Sequence, residues 1–161
     1  MDKVGMNKKQ ELLERLQREF TICDRHNLRI EEALSGLRSV LPLSVETYAD
    51  LDTEQIRCLD QFIFRFSKLQ DAISAKIFRY VLEYLDEDIS SLPMQDILNR
   101  LERYHFIDSA NEWNYIRELR NSIAHDYPLW ENDIVDSLNA LVAKVPVLQG
   151  IYEKLKTVIY N

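Results

Sequence analysis

Between Asp52 and Tyr84 the apolar residues recur as Ile56, Leu59, Ile63, Phe66, Ile73, Ile77, Tyr80 and Tyr84, at steps of three and four that only Gln70 interrupts. A repeat near 3.6 residues held over this length specifies a long amphipathic helix and is incompatible with the alternation of a strand. Asp52, with Gln55 three residues on, supplies a capping box to start it. Phe62, Phe64 and Phe78 lie partly off the stripe, so this helix carries more apolar surface than one core face uses. A second buried contact such as a subunit interface would absorb the excess. The aromatic side chains therefore read as core plus interface, not as a platform for stacking bases.

The rest of the chain follows the same period. With only three Gly and four Pro in 161 residues, few positions break a helix. A first helix is expected from about Asn7 to Val40, with Leu12, Leu16 and Phe20 on one face, Leu34, Leu37 and Leu41 on another, and a break allowed near Arg25-His26-Asn27. Residues 42–51 form a connection. Pro93 opens a shorter helix from Met94 to about Arg103. Ser109 and Glu112 form a second capping box, starting a fourth helix that turns Trp113, Ile116, Leu119 and Ile123 inward and stops at Pro128. The last helix runs from about Glu131 with Ile134, Leu138, Leu141, Val145, Leu148, Tyr152, Leu155 and Ile159 inward, kinked but not ended by Pro146. Long helices with short connections imply one all-α domain over residues 1–161, an antiparallel up-and-down bundle of four to five helices.

Composition narrows the function. A net charge of −7 opposes a sequence-independent grip on nucleic acid through overall charge, though not a local basic cleft. Cys23 and Cys58 form no Cys-x-x-Cys pair, which fits reduced thiols in the cytoplasm. No apolar run approaches the roughly 18 residues that a membrane span needs, and the polar start is not that of a signal peptide. The three His residues have no metal-ligand spacing, so neither metal nor cofactor is expected.

Polar chemistry concentrates in Arg120-Asn121-Ser122-Ile123-Ala124-His125-Asp126-Tyr127, at the end of the fourth helix. At about 100° per residue, Asn121 and His125 lie about 40° apart, and the long stem of Arg120 can bring its guanidinium toward the same side. Arg117, one turn before Asn121, adds a second cation. His125 sits in the last turn, where the helix dipole and Asp126 favour the imidazolium and Arg120 opposes it, which allows titration near neutrality. An Arg and a His together suit metal-free cleavage of a phosphodiester. The His moves a proton at the 2′-hydroxyl or at the leaving 5′-oxygen, and the Arg holds the non-bridging oxygens. One His does not easily serve as base and acid in the same step, so a two-fold dimer bringing two motifs together would complete the chemistry. Asp71 and Gln70 interrupt an apolar stripe and are weaker candidates to face such a cleft. The Arg-x4-His spacing alone is weak evidence, because Arg100 and His105 repeat it in what reads as surface and loop.

The fuller pattern Arg120-Asn121-x3-His125-x-Tyr127, on the penultimate helix of a small all-helical chain, resembles the signature of the HEPN superfamily. More narrowly, it is similar to the HEPN toxins paired with minimal nucleotidyltransferase antitoxins. Phe66-Ser67-Lys68-Leu69-Gln70-Asp71-Ala72-Ile73-Ser74-Ala75-Lys76 and Leu98-Asn99-Arg100-Leu101-Glu102 add to the likeness, which covers nearly the whole chain. The resemblance implies a homodimer that cuts RNA (tRNA or mRNA) without metal. Arg120 and His125 would be its catalytic pair, Asn121 the polar residue beside them, and Tyr127 the tyrosine to which the antitoxin adds AMP. Such a group would set bulk and negative charge beside the cleft. Preceding a proline, Tyr127 is biased out of the helix and toward another enzyme. A non-catalytic HEPN partner of a nucleotidyltransferase, as substrate-binding subunit or antitoxin, remains the alternative. A helical adaptor without nucleic-acid contact is the third reading.

Overall fold

The computed structural model describes residues 3–127 and 131–160, and every regular element among them is helical. The first helix, α1 (Lys3–Leu37), runs without a break through Arg25-His26-Asn27. Its two expected faces are one stripe, because Leu12, Leu16 and Phe20 are joined to Leu37 through buried Cys23, Ile30 and Ala33. His26 and Asn27 sit half-buried on that line. The stripe is hard to see in sequence because, apart from Ile30, its central members are small or polar.

A short helix not expected from the sequence, α2 (Val45–Ala49), forms within the connection. Ser44 and Thr47 exchange side-chain and backbone hydrogen bonds in a capping box that starts it. The segment before it is tied across the molecule. The Leu43 N–H donates to Asn139 Oδ1 and Asn139 Nδ2 donates to the Leu43 carbonyl, both at 2.8 Å.

The long helix is present as a rod of three parts: α3 (Thr53–Ala72), a π-helical turn (Ile73–Ile77) and α4 (Phe78–Tyr84). Asp52 starts it as expected, accepting the Gln55 N–H at 2.8 Å while its own N–H donates to Gln55 Oε1 at 3.0 Å. The buried line on α3 is Leu59, Phe62, Phe66, Leu69 and Gln70. It shares Leu59 and Phe66 with the expected stripe but turns the other way between them, leaving Ile56 exposed. The wide π turn then shifts the helical phase, so α4 buries Phe78, Val81 and Leu82. Phe62 and Phe78 are thus core residues, and Phe64, 52% exposed, is the one phenylalanine of the expected excess left outside. Gln70 does not face outward either: it is 2% exposed, with neither amide atom hydrogen-bonded.

The rod runs antiparallel to α1. Gly36 sits against Cys58, His26 against Arg65, and Glu19 pairs with Lys76 at 3.3 Å. α5 (Met94–Arg103) follows Pro93 as expected, and Arg100 binds Glu87 at 2.7 Å while His105 lies in an exposed left-handed turn (φ 62°). That second Arg-x4-His pair is therefore surface and loop.

Ser109 caps α6 (Ala110–Asp126), accepting the Glu112 N–H at 3.0 Å. The Glu112 carboxylate does not close a box. It takes Lys144 at 2.6 Å and so ties α6 to the far end of the chain. Pro128, assigned as the stop of this helix, lies outside the described residues. α7 (Glu131–Ala143) and α8 (Val145–Tyr160) are separated at Lys144, so Pro146 sits in the first turn of α8, where its missing N–H is harmless, and not within one bent helix. α8 is fastened to α1 through buried Tyr152, whose one hydroxyl proton is shared between Asp24 Oδ1 at 2.6 Å and the Phe20 carbonyl at 2.8 Å. By length and composition Asp133–Tyr160 could cross a membrane. Here Ile134, Leu138, Leu141, Leu148, Tyr152 and Leu155 face the shared core, and 39% of the most apolar window is buried.

Candidate functional site

α6 is seated by its apolar edge. Trp113, Ile116 and Ile123 are buried, and the Trp113 ring meets Phe78 edge-on at 4.7 Å. This orientation leaves Arg120 on the flank of α6 that faces α3. Its Nη2 donates to Asp71 Oδ2 at 2.8 Å and its Nη1 to Asn121 Oδ1 at 3.1 Å, while Nε is buried without a partner. Glu118 and Asp126 are the carboxylates nearest to this arginine in the sequence. The actual partner comes from another helix, 49 positions away.

Asn121 neither orients His125 nor bridges helices. It is exposed and turns the Arg120 guanidinium toward its own face, as the long arginine stem allows. His125 is exposed in the last turn of α6, with no hydrogen bond among the described residues. Arg117 is exposed one turn earlier and makes no ion pair with them. The Asp126 side chain lies outside the described part.

Tyr127 leaves the helix, as a residue before proline should, with φ −72° and ψ 132°. It does not project freely. Its ring is half-buried against the core, and its hydroxyl donates to Asp60 on α3. Burial, that hydrogen bond and the Asp60 charge together push the phenol well above its ordinary value, so it stays protonated.

Two clasps therefore join α6 to α3: Arg120 to Asp71, and Tyr127 to Asp60. Asp60 was not singled out in the sequence. A signal existed, since residues 11 apart on a helix are separated by only about 20° and Asp60 and Asp71 share one edge of α3. The two most voluminous described clefts, about 460 and 430 Å³, are lined by the start of α1 and residues around Tyr84–Ser90, and hold none of the motif residues. Among the described residues no three His, Cys, Asp or Glu side chains gather where they could hold a metal ion. Cys23 is not an alternative nucleophile, because burial and the neighbouring Glu19 and Asp24 push its thiol up to about 12.

Arg120 is held from two sides, while His125, about 140° further round α6, makes no hydrogen bond with it; a guanidinium and an imidazole of this kind can bind a phosphate and move a proton. Comparison with protein-family models, with curated proteins and with solved structures gives no match to this chain.

Proposed function

We propose that this protein is a metal-independent endoribonuclease of the HEPN kind, built as an antiparallel helical bundle and acting in the cytoplasm as a homodimer. The observation that carries the reading is the restrained Arg120 guanidinium, aimed by Asp71 and Asn121 on the helix end that presents His125. Arg120 would bind the non-bridging oxygens of the scissile phosphate, and His125 would transfer the proton. A single imidazole covers half of the acid–base work, and the second copy of the motif, brought in by a twofold axis, supplies the other half. Tyr127 would accept AMP from a minimal nucleotidyltransferase antitoxin. Modification has to break the Tyr127–Asp60 hydrogen bond, since one oxygen cannot both donate to Asp60 and carry the phosphoryl group.

One observation favours the second reading, a non-catalytic partner of a nucleotidyltransferase: the Asp71 carboxylate already offsets the Arg120 charge. Expression separates the two. A nuclease toxin arrests growth, and His125→Ala or Arg120→Ala relieves the arrest. Growth unaffected by either the wild type or the variants supports the binding partner. Intact mass after co-expression with a nucleotidyltransferase tests the modification, which should add AMP to the wild type and not to Tyr127→Phe.

A further inference from the structure

We propose that Phe64 is a base-stacking residue of the site, so that the RNA it takes is single-stranded; this rests on the nuclease reading above. Phe64 lies on α3 between the two clasps. Around the helix it is about 40° from Asp60 and about 20° from Asp71, on the same edge that holds Tyr127 and Arg120. Along the helix it stands about 6 Å from Asp60 and about 10 Å from Asp71. A nucleotide whose phosphate lies on Arg120 has its neighbours within reach of this ring.

Against the expectation from sequence that the aromatic excess of this helix serves an interface, the surroundings of Phe64 point to nucleic acid in preference to a second copy of the chain. The ring is 52% exposed, and two cations lie within cation–π distance of its centroid, the Lys68 ammonium at 5.6 Å and, at 5.5 Å, the Arg65 guanidinium that also binds His26. A twofold contact centred here would bring two Lys68 and two Arg65 together, while the nearby Asp60 and Asp71 are already engaged. Lysine is also depleted from protein interfaces. An aromatic face flanked by cations is instead the arrangement that single-stranded nucleic acid uses: the base stacks and the backbone is neutralised. Phe62 and Phe78 are taken up by the core, so Phe64 is left over from the packing of the helix. In a chain of net charge −7 these cations act locally.

The test uses the full chain and a 2′-O-methyl oligouridylate carrying one 2-aminopurine, which lacks the 2′-hydroxyl and survives the nuclease. Stacking on Phe64 should quench the 2-aminopurine on binding. Phe64→Ala should weaken binding roughly 5- to 100-fold and abolish the quench, Phe64→Trp should retain both, and the same strand in a duplex should bind poorly. Light scattering is run on each variant. Equal binding by wild type and Phe64→Ala overturns the inference alone. Loss of the dimer in Phe64→Ala overturns it in favour of an interface. A wild type that binds neither form of the oligonucleotide sinks the nuclease reading as well.

Discussion

Removing the Asp71 carboxylate separates what the Arg120–Asp71 pair does for the fold from what it does for the site. The pair is short, 2.8 Å, but its side chains are 26% and 52% exposed, so water screens it. Exposed and half-exposed pairs contribute about 0.2–1 kcal/mol. Asp71→Ala should thus lower the urea-derived stability by no more than about 1 kcal/mol, or the melting temperature by about 1–4 °C for a chain of this size. The effect on RNA cleavage should be larger. Without Asp71 the guanidinium keeps only the neutral Asn121 contact, and a displacement of about 1 Å in a transition-state contact can cost about 100-fold. The expected loss is about 10- to 100-fold for Asp71→Ala and about 100- to 1,000-fold for Arg120→Ala. Because Asp71 acts only through Arg120, the double variant should be no slower than Arg120→Ala. Additive losses, or unchanged cleavage by Asp71→Ala, would refute this role. A stability loss above about 3 kcal/mol would make the pair structural.

Gln70→Met should raise stability by about 1–2 kcal/mol in chemical denaturation, because it removes a buried amide with two unpaired ends and keeps the volume; destabilisation would show that the amide has partners in solution. Asn139→Ala should cost about 1–3 kcal/mol by the same measurement, since it strands the Leu43 N–H and carbonyl at a half-buried joint. His26 reports on pH. A guanidinium can only donate, so the Arg65 contact at 3.0 Å requires Nδ1 to accept, and burial together with Arg65 and Lys68 lowers the imidazole from its ordinary value. The folded state therefore favours neutral His26. That contribution is complete above pH 6.5 and is lost as the pH falls through the depressed value. Urea midpoints between pH 7 and pH 5 should fall further for the wild type than for His26→Gln, and parallel curves would contradict the assignment.

Much of the helix plan is legible because caps and periodicity are local. Asp52-Gln55, Pro93 and Ser109 each start a helix where the sequence places them. What is not legible depends on phase and on distant partners. Stripes through Ile56 and Ile63 or through Phe62 and Leu69 both fit steps of three and four, and only packing against α1 and α6 chooses between them. The π turn at Ile73–Ile77 has no local marker, yet it decides that Phe78 is buried. In the site, the Arg120-to-Tyr127 segment is visible as a motif. Of its supports, Asp71 shows only as a polar break in an apolar stripe and Asp60 not at all, because they lie 49 and 67 positions away in the chain. Glu112 shows the same limit: it occupies a capping position but answers to Lys144.

The central claim is that a guanidinium and an imidazole, without metal, cut an RNA backbone. The most direct measurement is incubation of purified protein with a single-stranded RNA in excess EDTA, with mapping of the new ends. Cleavage that persists in EDTA, leaves 2′,3′-cyclic phosphate and 5′-hydroxyl ends, and disappears in both His125→Ala and Arg120→Ala is the predicted result. RNA left intact by the wild type, or cut equally by either variant, would contradict it.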